Sequence, residues 1–192
     1  MADNNKVLFG FSELHIGTYT VDDDGNVTLG EPYHQKGAVG YSPEADNEEV
    51  DFWADNVDYF SEQTTGTRSG DLVVAKFDDT FKEQFLGYKR SSGGGLAEVI
   101  NPVKPRVYVA FQIDGDVDNV RHIMYNGSLG SIDREFNTTE GTREPVTESL
   151  PVKFIGDKAS GIIVDNYHPG DAGYEDLFSN PPVPGLADES ES

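Results

Sequence analysis

Cysteine is absent from the 192 residues. That excludes a disulfide framework, thiolate-ligated zinc and a thiol nucleophile. Bases are scarce, 14 against 35 acids, and the formal net charge is -21. Such a chain has no basic footprint with which to grip nucleic acid, and an anionic membrane surface repels it. No apolar run approaches the ~18 residues of a membrane-spanning helix. The polar start, Met1 to Lys6, leads directly into Val7-Leu8-Phe9 without a secretory layout, so the expected compartment is the cytoplasm. The N-x-[ST] triplets at Asn26, Asn126 and Asn137 then read as chance matches.

What remains still supports a core. Hydrophobic residues make up 36% of the chain, with 11 Phe and 9 Tyr, which is above the disordered class. The length fits one domain or two small ones. Charge is unevenly spread. Residues 1–60 hold 13 acids and 2 bases, residues 61–110 hold 6 and 7, and the last 22 residues hold 6 acids and no base. An acidic surface is ordinarily a solubilising one; concentrated at the front, it also fits one acidic face with a purpose.

Strand signals dominate. From Arg106 to Asp114, Val107, Val109, Phe111 and Ile113 alternate with Tyr108, Ala110, Gln112 and Asp114. Val120 to Tyr125 follows an Asp/Gly/Asn-rich turn, and the two runs predict a hairpin. Leu14 to Val21 alternates, and Asp24-Gly25 turns the chain before Val27-Thr28-Leu29. Further strands are expected at Asp71 to Phe77, Leu150 to Ile155 and Gly161 to Val164, with Pro151 at an edge or a strand start. One short helix is expected over residues 79–86. Thr80 and Glu83 form a candidate capping box, Phe81 and Phe85 stand four apart, and Gly87 ends it. Ala172 to Phe178 is a weaker helical candidate. Arg90 to Gly95 is a loop. The whole predicts a mainly β protein, an antiparallel sandwich or barrel, with residues 1–178 as one domain and residues 179–192 as a disordered, acidic, Pro-rich tail.

Catalytic patterns are lacking. The four histidines, His15, His34, His122 and His168, have no metal-site spacing, and His15 and His122 within strands read as packed or surface residues. No serine stands in a G-x-S-x-G elbow. Gly93-Gly94-Gly95 lacks the Gly-Lys-Ser/Thr of a phosphate loop. A saccharide cleft presents several aromatics, and Trp53 is the only tryptophan. The chain is therefore expected not to be an enzyme and to hold no cofactor. Two Asp-rich turns invite calcium. Thr20, Asp22, Asp24, Gly25 and Glu31 fall on calcium-loop positions 1, 3, 5, 6 and 12, but position 1 should be Asp and the flanks are strands. Asp114, Asp116 and Asp118 have the alternation without the glycine or the final glutamate. Tight-turn chemistry explains both.

The stretch Tyr41 to Phe60 is more distinctive. It holds seven acids and no base, yet carries Phe52, Trp53, Tyr59 and Phe60. Ala54-Asp55-Asn56 predicts a turn between two strands. One reading is a hairpin with an aromatic face on the core. The other is an arm that packs on a neighbouring subunit, with aromatics for contact area and charge against wrong partners.

The order of several passages resembles the major tail protein, or tail tube protein, of long non-contractile-tailed phages of Gram-positive bacteria. They are Val7 to Gly17, Gly37-Ala38-Val39, Phe52-Trp53-Ala54-Asp55-Asn56, Gly70-Asp71-Leu72, Phe81 to Gly87, Phe111 to Asp116, Arg121 to Asn126, Glu148 to Val152 and Tyr174 to Phe178. The likeness spans roughly residues 7–178 and rests on their order and spacing, not on any single motif. It implies a β-sandwich subunit of the tail tube type, forming hexameric rings that stack into a tube. Around the channel, strands of the six subunits join into one barrel. It also implies a virion protein assembled in the host bacterial cytoplasm. Its partners would be copies of itself, a tape measure protein, a tail terminator and distal tail proteins, with DNA passing through unbound. Candidate subunit and ring contacts are Phe52, Trp53, Asp55, Asn56, Tyr59 and Phe60. Candidate acidic lumen or loop residues are Glu44, Asp46, Glu48, Glu49, Asp51 and Asp58. Two alternatives stand beside this: a calcium- or carbohydrate-dependent adhesion domain of the virion, and an acidic mimic of DNA that occupies a basic site on a host enzyme.

Overall fold

The structure is a computed structural model. It describes residues 10–54, 57–114, 116, 118–134 and 146–186, and for residues 47–54 and 57–65 the backbone alone. In chain order the elements are β1 (Phe11–Val21), β2 (Val27–Leu29), β3 (Tyr33–His34), β4 (Ala38–Ala54), β5 (Val57–Val74), α1 (Asp79–Phe85), β6 (Lys89–Arg90), β7 (Leu96–Ala97), β8 (Arg106–Ile113), β9 (Arg121–Leu129), β10 (Asp133–Arg134), β11 (Glu148–Phe154) and β12 (Val164–Tyr167). The protein is mainly β, antiparallel, with one short helix, as the sequence predicts.

The main sheet runs β2-β1-β8-β9-β11-β5-β4, with β3 on β1, β10 on β11 and β12 on β9; β6 and β7 pair separately. Among the described residues the path does not return on itself, so the sheet is open and not a closed barrel. It is covered on both faces, because alternate residues of β8 enter two different clusters. Val107, Val109 and Phe111 join Leu14, Ile16, Leu72, Val152 and Phe154. Tyr108 and Ala110 join Tyr19, Ile123, Tyr125 and Leu177. This is the alternation read from the sequence. The helix caps the first face through Phe81, Phe85 and Leu86. The segment around Leu177 and Phe178 caps the second. Gly17 permits the close approach between β1 and β8, since a Cβ there would meet the Tyr108 ring at 2.4 Å.

Several expectations shift. The helix cap is Asp78, not Thr80: the Asp78 carboxylate accepts from the Phe81 N–H at 2.7 Å. Residues 172–178 form successive turns and no α-helix; the Tyr174 N–H bonds to Asp171 O and the Leu177 N–H to Tyr174 O. Phe178 lies against His15 in that turn series, so tertiary packing decides it. The strand expected at residues 161–164 begins at Val164 and pairs with Arg121–Met124 of β9. The strand expected from Asp71 is the end of one that starts at Val57 and stops at Val74. Pro151 stands opposite Asp71, one residue before β9 begins to pair on the other side, so no ladder N–H is missed. Near the C-terminus, Pro181 is buried and the Pro182 carbonyl accepts from the Tyr125 hydroxyl at 3.0 Å.

Candidate functional site

The residues singled out in the sequence converge on one element. β4 and β5 are 17 and 18 residues long and pair from Ala38 opposite Val74 out to Ala54 opposite Val57. Two strands flank residues 55 and 56, as expected for a turn there; Asp55 and Asn56 themselves lie outside the described residues. β11 pairs with β5 over Arg68–Val74. Beyond Arg68, the hairpin pairs only with itself among the described residues. From Asp46 to Ala54 that is an extension of roughly 26 Å at ~3.3 Å per residue.

The candidate contact and lumen residues take defined register positions on it. Glu44 is opposite Ser69, Glu48 opposite Thr64, Glu49 opposite Gln63 and Asp51 opposite Ser61. Phe52 is opposite Phe60, and Trp53 is opposite Asp58. Tyr59 is the extra residue of a bulge between those last two pairs.

Asp46 marks the root of the extension. Its carboxylate accepts from the Thr67 hydroxyl at 2.7 Å and the Ser69 hydroxyl at 2.9 Å, and pairs with Lys153 Nζ at 3.3 Å. The Thr67 hydrogen bond first, then Ser69 and Lys153, hold its carboxyl below the usual range. One side chain therefore ties β4, β5 and β11 together where the three-stranded region becomes two-stranded. Thr67, Ser69 and Lys153 carry no sequence signal for this, because the register that joins them is set by the pairing of Ser69 with Lys153, far apart along the chain.

A second surface lies in the near-neutral stretch of residues 61–110, where no individual residue stood out as a contact in the sequence. The loop from Glu98 to Pro105 exposes Ile100 and Val103, each at 93%. The loop is held in place. Lys104 Nζ donates to the Leu129 and Gly130 carbonyls. Gly87, at φ 70°, lets Pro102 and Val103 pack over the helix end, where a Cβ would meet Pro102 at 2.9 Å. Two aliphatic side chains are thus presented to water by an anchored loop. The available signal was an apolar Val-Ile and Val between prolines in a near-neutral region.

Asp22 and Asp116 spend their carboxylates within their own turns. Asp22 accepts from the Asp24 and Asn26 N–H groups and from the Asn26 amide. Asp116 accepts from the Asp118 and Val120 N–H groups, and Asp114 from the Ser12 hydroxyl. A cavity of about 560 Å³ is lined by Tyr19, Arg106, Asn126, Asp157 and Lys158 among others. Its buried polar groups are likewise taken. Asp157 accepts from the Tyr19 hydroxyl at 2.6 Å and from Ser160, and Asn126 donates to Gly156 O.

The profile of a family described as phage tail tube protein matches residues 2–127. No curated protein matches. Among solved structures, the tube-terminating cap of the anti-feeding prophage is 10% identical, with a TM-score of 0.48 over 88% of this chain and 97% of that one. A chain of the sheath-tube complex of an extracellular contractile injection system is 9% identical, with a TM-score of 0.47 over 86% and 95%. A chain of the sheath/tube terminator of such a system is 8% identical, with a TM-score of 0.42 over 85% and 99%.

Proposed function

The chain belongs to the phage tail tube protein family, and we propose that six copies close a ring and that stacked rings conduct viral DNA through an acidic lumen. The family is one of structural tail components, and the protein is a tail tube component of the virion. The finer reading is the tube of a long non-contractile tail of a phage of Gram-positive bacteria. Such a tube would be assembled in the host cytoplasm around a tape measure protein and between distal tail and terminator proteins. It is supported by the order of motifs along the sequence.

The observation that carries self-assembly is the β4–β5 extension. A two-stranded ribbon is marginal in water by itself, and its open edges are templates for further pairing. An arm with four aromatics among its residues and no third strand among the described residues is accounted for if a second copy supplies the partner. The exposed Ile100 and Val103 on an anchored loop supply a further apolar contact for a neighbouring copy. Acids on the arm, and at Glu44, Glu48, Glu49, Asp51 and Asp58 in particular, would repel phosphate, so that DNA slides without a salt-dependent hold.

The test is electron microscopy of the concentrated protein at low and high salt. Rings or tubes with sixfold end views are expected. Monomers alone under every condition would count against the proposal. For the lumen, tubes carrying Glu48→Lys and Asp51→Lys are expected to retain DNA at low salt and release it as salt rises.

A further inference from the structure

β1 and β3 bring together three side chains that no sequence spacing connects. His15 is registered opposite His34, and Glu13 precedes His15 across a bulge. One ligand-type atom from each of Glu13, His15 and His34 lies within 4.8 Å of the others. We propose that these three residues form a site for a zinc-like divalent transition-metal ion, with water in the fourth position.

The argument starts at His15. Its ring is sandwiched between His34, with centroids 4.6 Å apart, and Phe178, at 4.8 Å. With both faces covered, the ring can be approached only along its edge, which is the plane of a nitrogen lone pair. Nδ1 lies 2.8 Å from the Glu13 carbonyl oxygen. A carbonyl only accepts, so Nδ1 carries the hydrogen and Nε2 of the neutral ring carries the lone pair. A ring N–H given to a backbone carbonyl is the usual support of a metal-bound histidine, because it sets the tautomer and the ring orientation.

Glu13 adds a second anomaly. It sits at φ 50°, a left-handed conformation that a glycine or asparagine adopts at lower cost. That backbone turns its carbonyl to His15 Nδ1 and keeps its carboxylate within reach of both rings. Strain at a non-glycine residue is explained when its side chain has work to do.

His34 is held in place by its neighbours: Tyr33 is registered opposite Ile16, and the Gln35 N–H donates to Leu14 O at 2.8 Å. Its ring lies 11° from parallel with that of His15. An ion in the His15 plane is therefore met by His34 only after that ring swings out of the stack. His34 and Glu13 are the exposed members and His15 is the buried one. So the ligand that must move, His34, is one that water already surrounds. Two imidazoles and a carboxylate are a donor set suited to zinc, nickel or copper and not to calcium.

The test is calorimetric titration of the untagged full chain with zinc chloride, with cobalt as a spectroscopic probe. One saturable equivalent, a raised Tm and the visible absorption of four-coordinate cobalt are expected. Outer-shell changes at metal sites typically cost about 10- to 100-fold in affinity. Direct ligand losses in His34→Ala and Glu13→Gln should each cost at least as much, with folding intact because both residues are exposed. His122→Ala, in a ring hydrogen-bonded to Asn166, should leave binding unchanged. Absence of saturable zinc binding would overturn the proposal. So would zinc binding that survives His34→Ala, or equal heat from calcium. None of these readouts depends on tube formation, so the site and the assembly reading stand or fall separately.

Discussion

The inner and outer halves of the β4–β5 hairpin are parts of the same two strands, yet they are stabilised differently. In the inner half, β5 lies between β4 and β11, and Leu72 and Val74 are fully buried in the main cluster. Tyr41 packs there against Phe111 and Phe154. The outer half has no third strand among the described residues. Its sequence mixes acids with aromatics, whereas the inner half of β5 ends in the apolar run Leu72-Val73-Val74. The inner half is explained by the subunit alone. On the proposed assembly, the outer half is accounted for by the neighbouring copy it would join.

The largest expected effect tests that division directly. Leu72→Ala, at a site with no exposure, should cost about 2–5 kcal/mol of folding stability in urea denaturation. Trp53→Ala on the outer half should leave folding within about 0.5 kcal/mol of the parent and sharply reduce tube yield. A lowered Tm with unchanged tube yield for Trp53→Ala would place Trp53 in an ordinary core and erase the distinction.

The next effect lies where the inner half ends. Glu148, opposite Val74, accepts from the Phe77 N–H at 2.7 Å and pairs with Arg134 at 2.8 Å. Only 10% of its side chain is exposed. Glu148→Ala strands a buried donor and should cost about 1–3 kcal/mol. Glu148→Gln, which can still accept from Phe77, should recover most of that loss. Equal losses would mean that the ion pair with Arg134 matters more than the hydrogen bond.

The inner body was largely legible in the sequence. The alternation of Val107, Val109 and Phe111 against Tyr108 and Ala110 is a period-2 signal, and burial on both faces left it intact. The helix was legible from Phe81, Phe85 and Gly87, although its cap moved from Thr80 to Asp78. The full length of β4 and β5 was not. Acidic residues and Pro43 depress strand propensity, and register with a partner strand makes up for it. Lys153 at the arm root and the His15–His34 pair depend on strand pairing between distant segments, which local patterns do not encode. The turns at residues 172–178 failed as a helix because Leu177 and Phe178 are positioned by the sheet beneath them.

A smaller effect follows from acid. Burial tends to raise the Asp157 carboxyl, but hydrogen bonds from Tyr19 and Ser160 outweigh it and hold the group below its ordinary value. Asp78 behaves alike: burial is outweighed by the Phe81 N–H and the Tyr33 hydroxyl. A carboxyl lowered on folding contributes its full stability above its unfolded value, near 4, and loses it as pH falls through the lower folded value. His15 is lowered by burial, so its unfolded form takes up a proton first, from about pH 6.5 downward. The urea midpoint should therefore decline gently below about pH 6.5 and more steeply below about pH 4. All three groups belong to the body and not to the arm, so the decline should track body unfolding. A midpoint flat to pH 3 would show that these hydrogen bonds contribute nothing.

The smallest expected effect is the one that most sharpens the comparison. Lys153 and Asp46 are both substantially exposed, and such pairs contribute little to global stability. Lys153→Ala should be indistinguishable from the parent by denaturation. Its position is nevertheless the boundary, because Lys153 is the β11 residue that reaches the β4 carboxylate where the third strand ends. Loss of the pair removes one of three ties on Asp46 and leaves those from Thr67 and Ser69. Hydrogen exchange should accordingly quicken a few-fold at the arm root and not at Leu72 or Val74. If exchange instead rises evenly along β4 and β5, the two halves open as one unit. The arm would then be an extension of the body's cooperative fold and not a separately stabilised element.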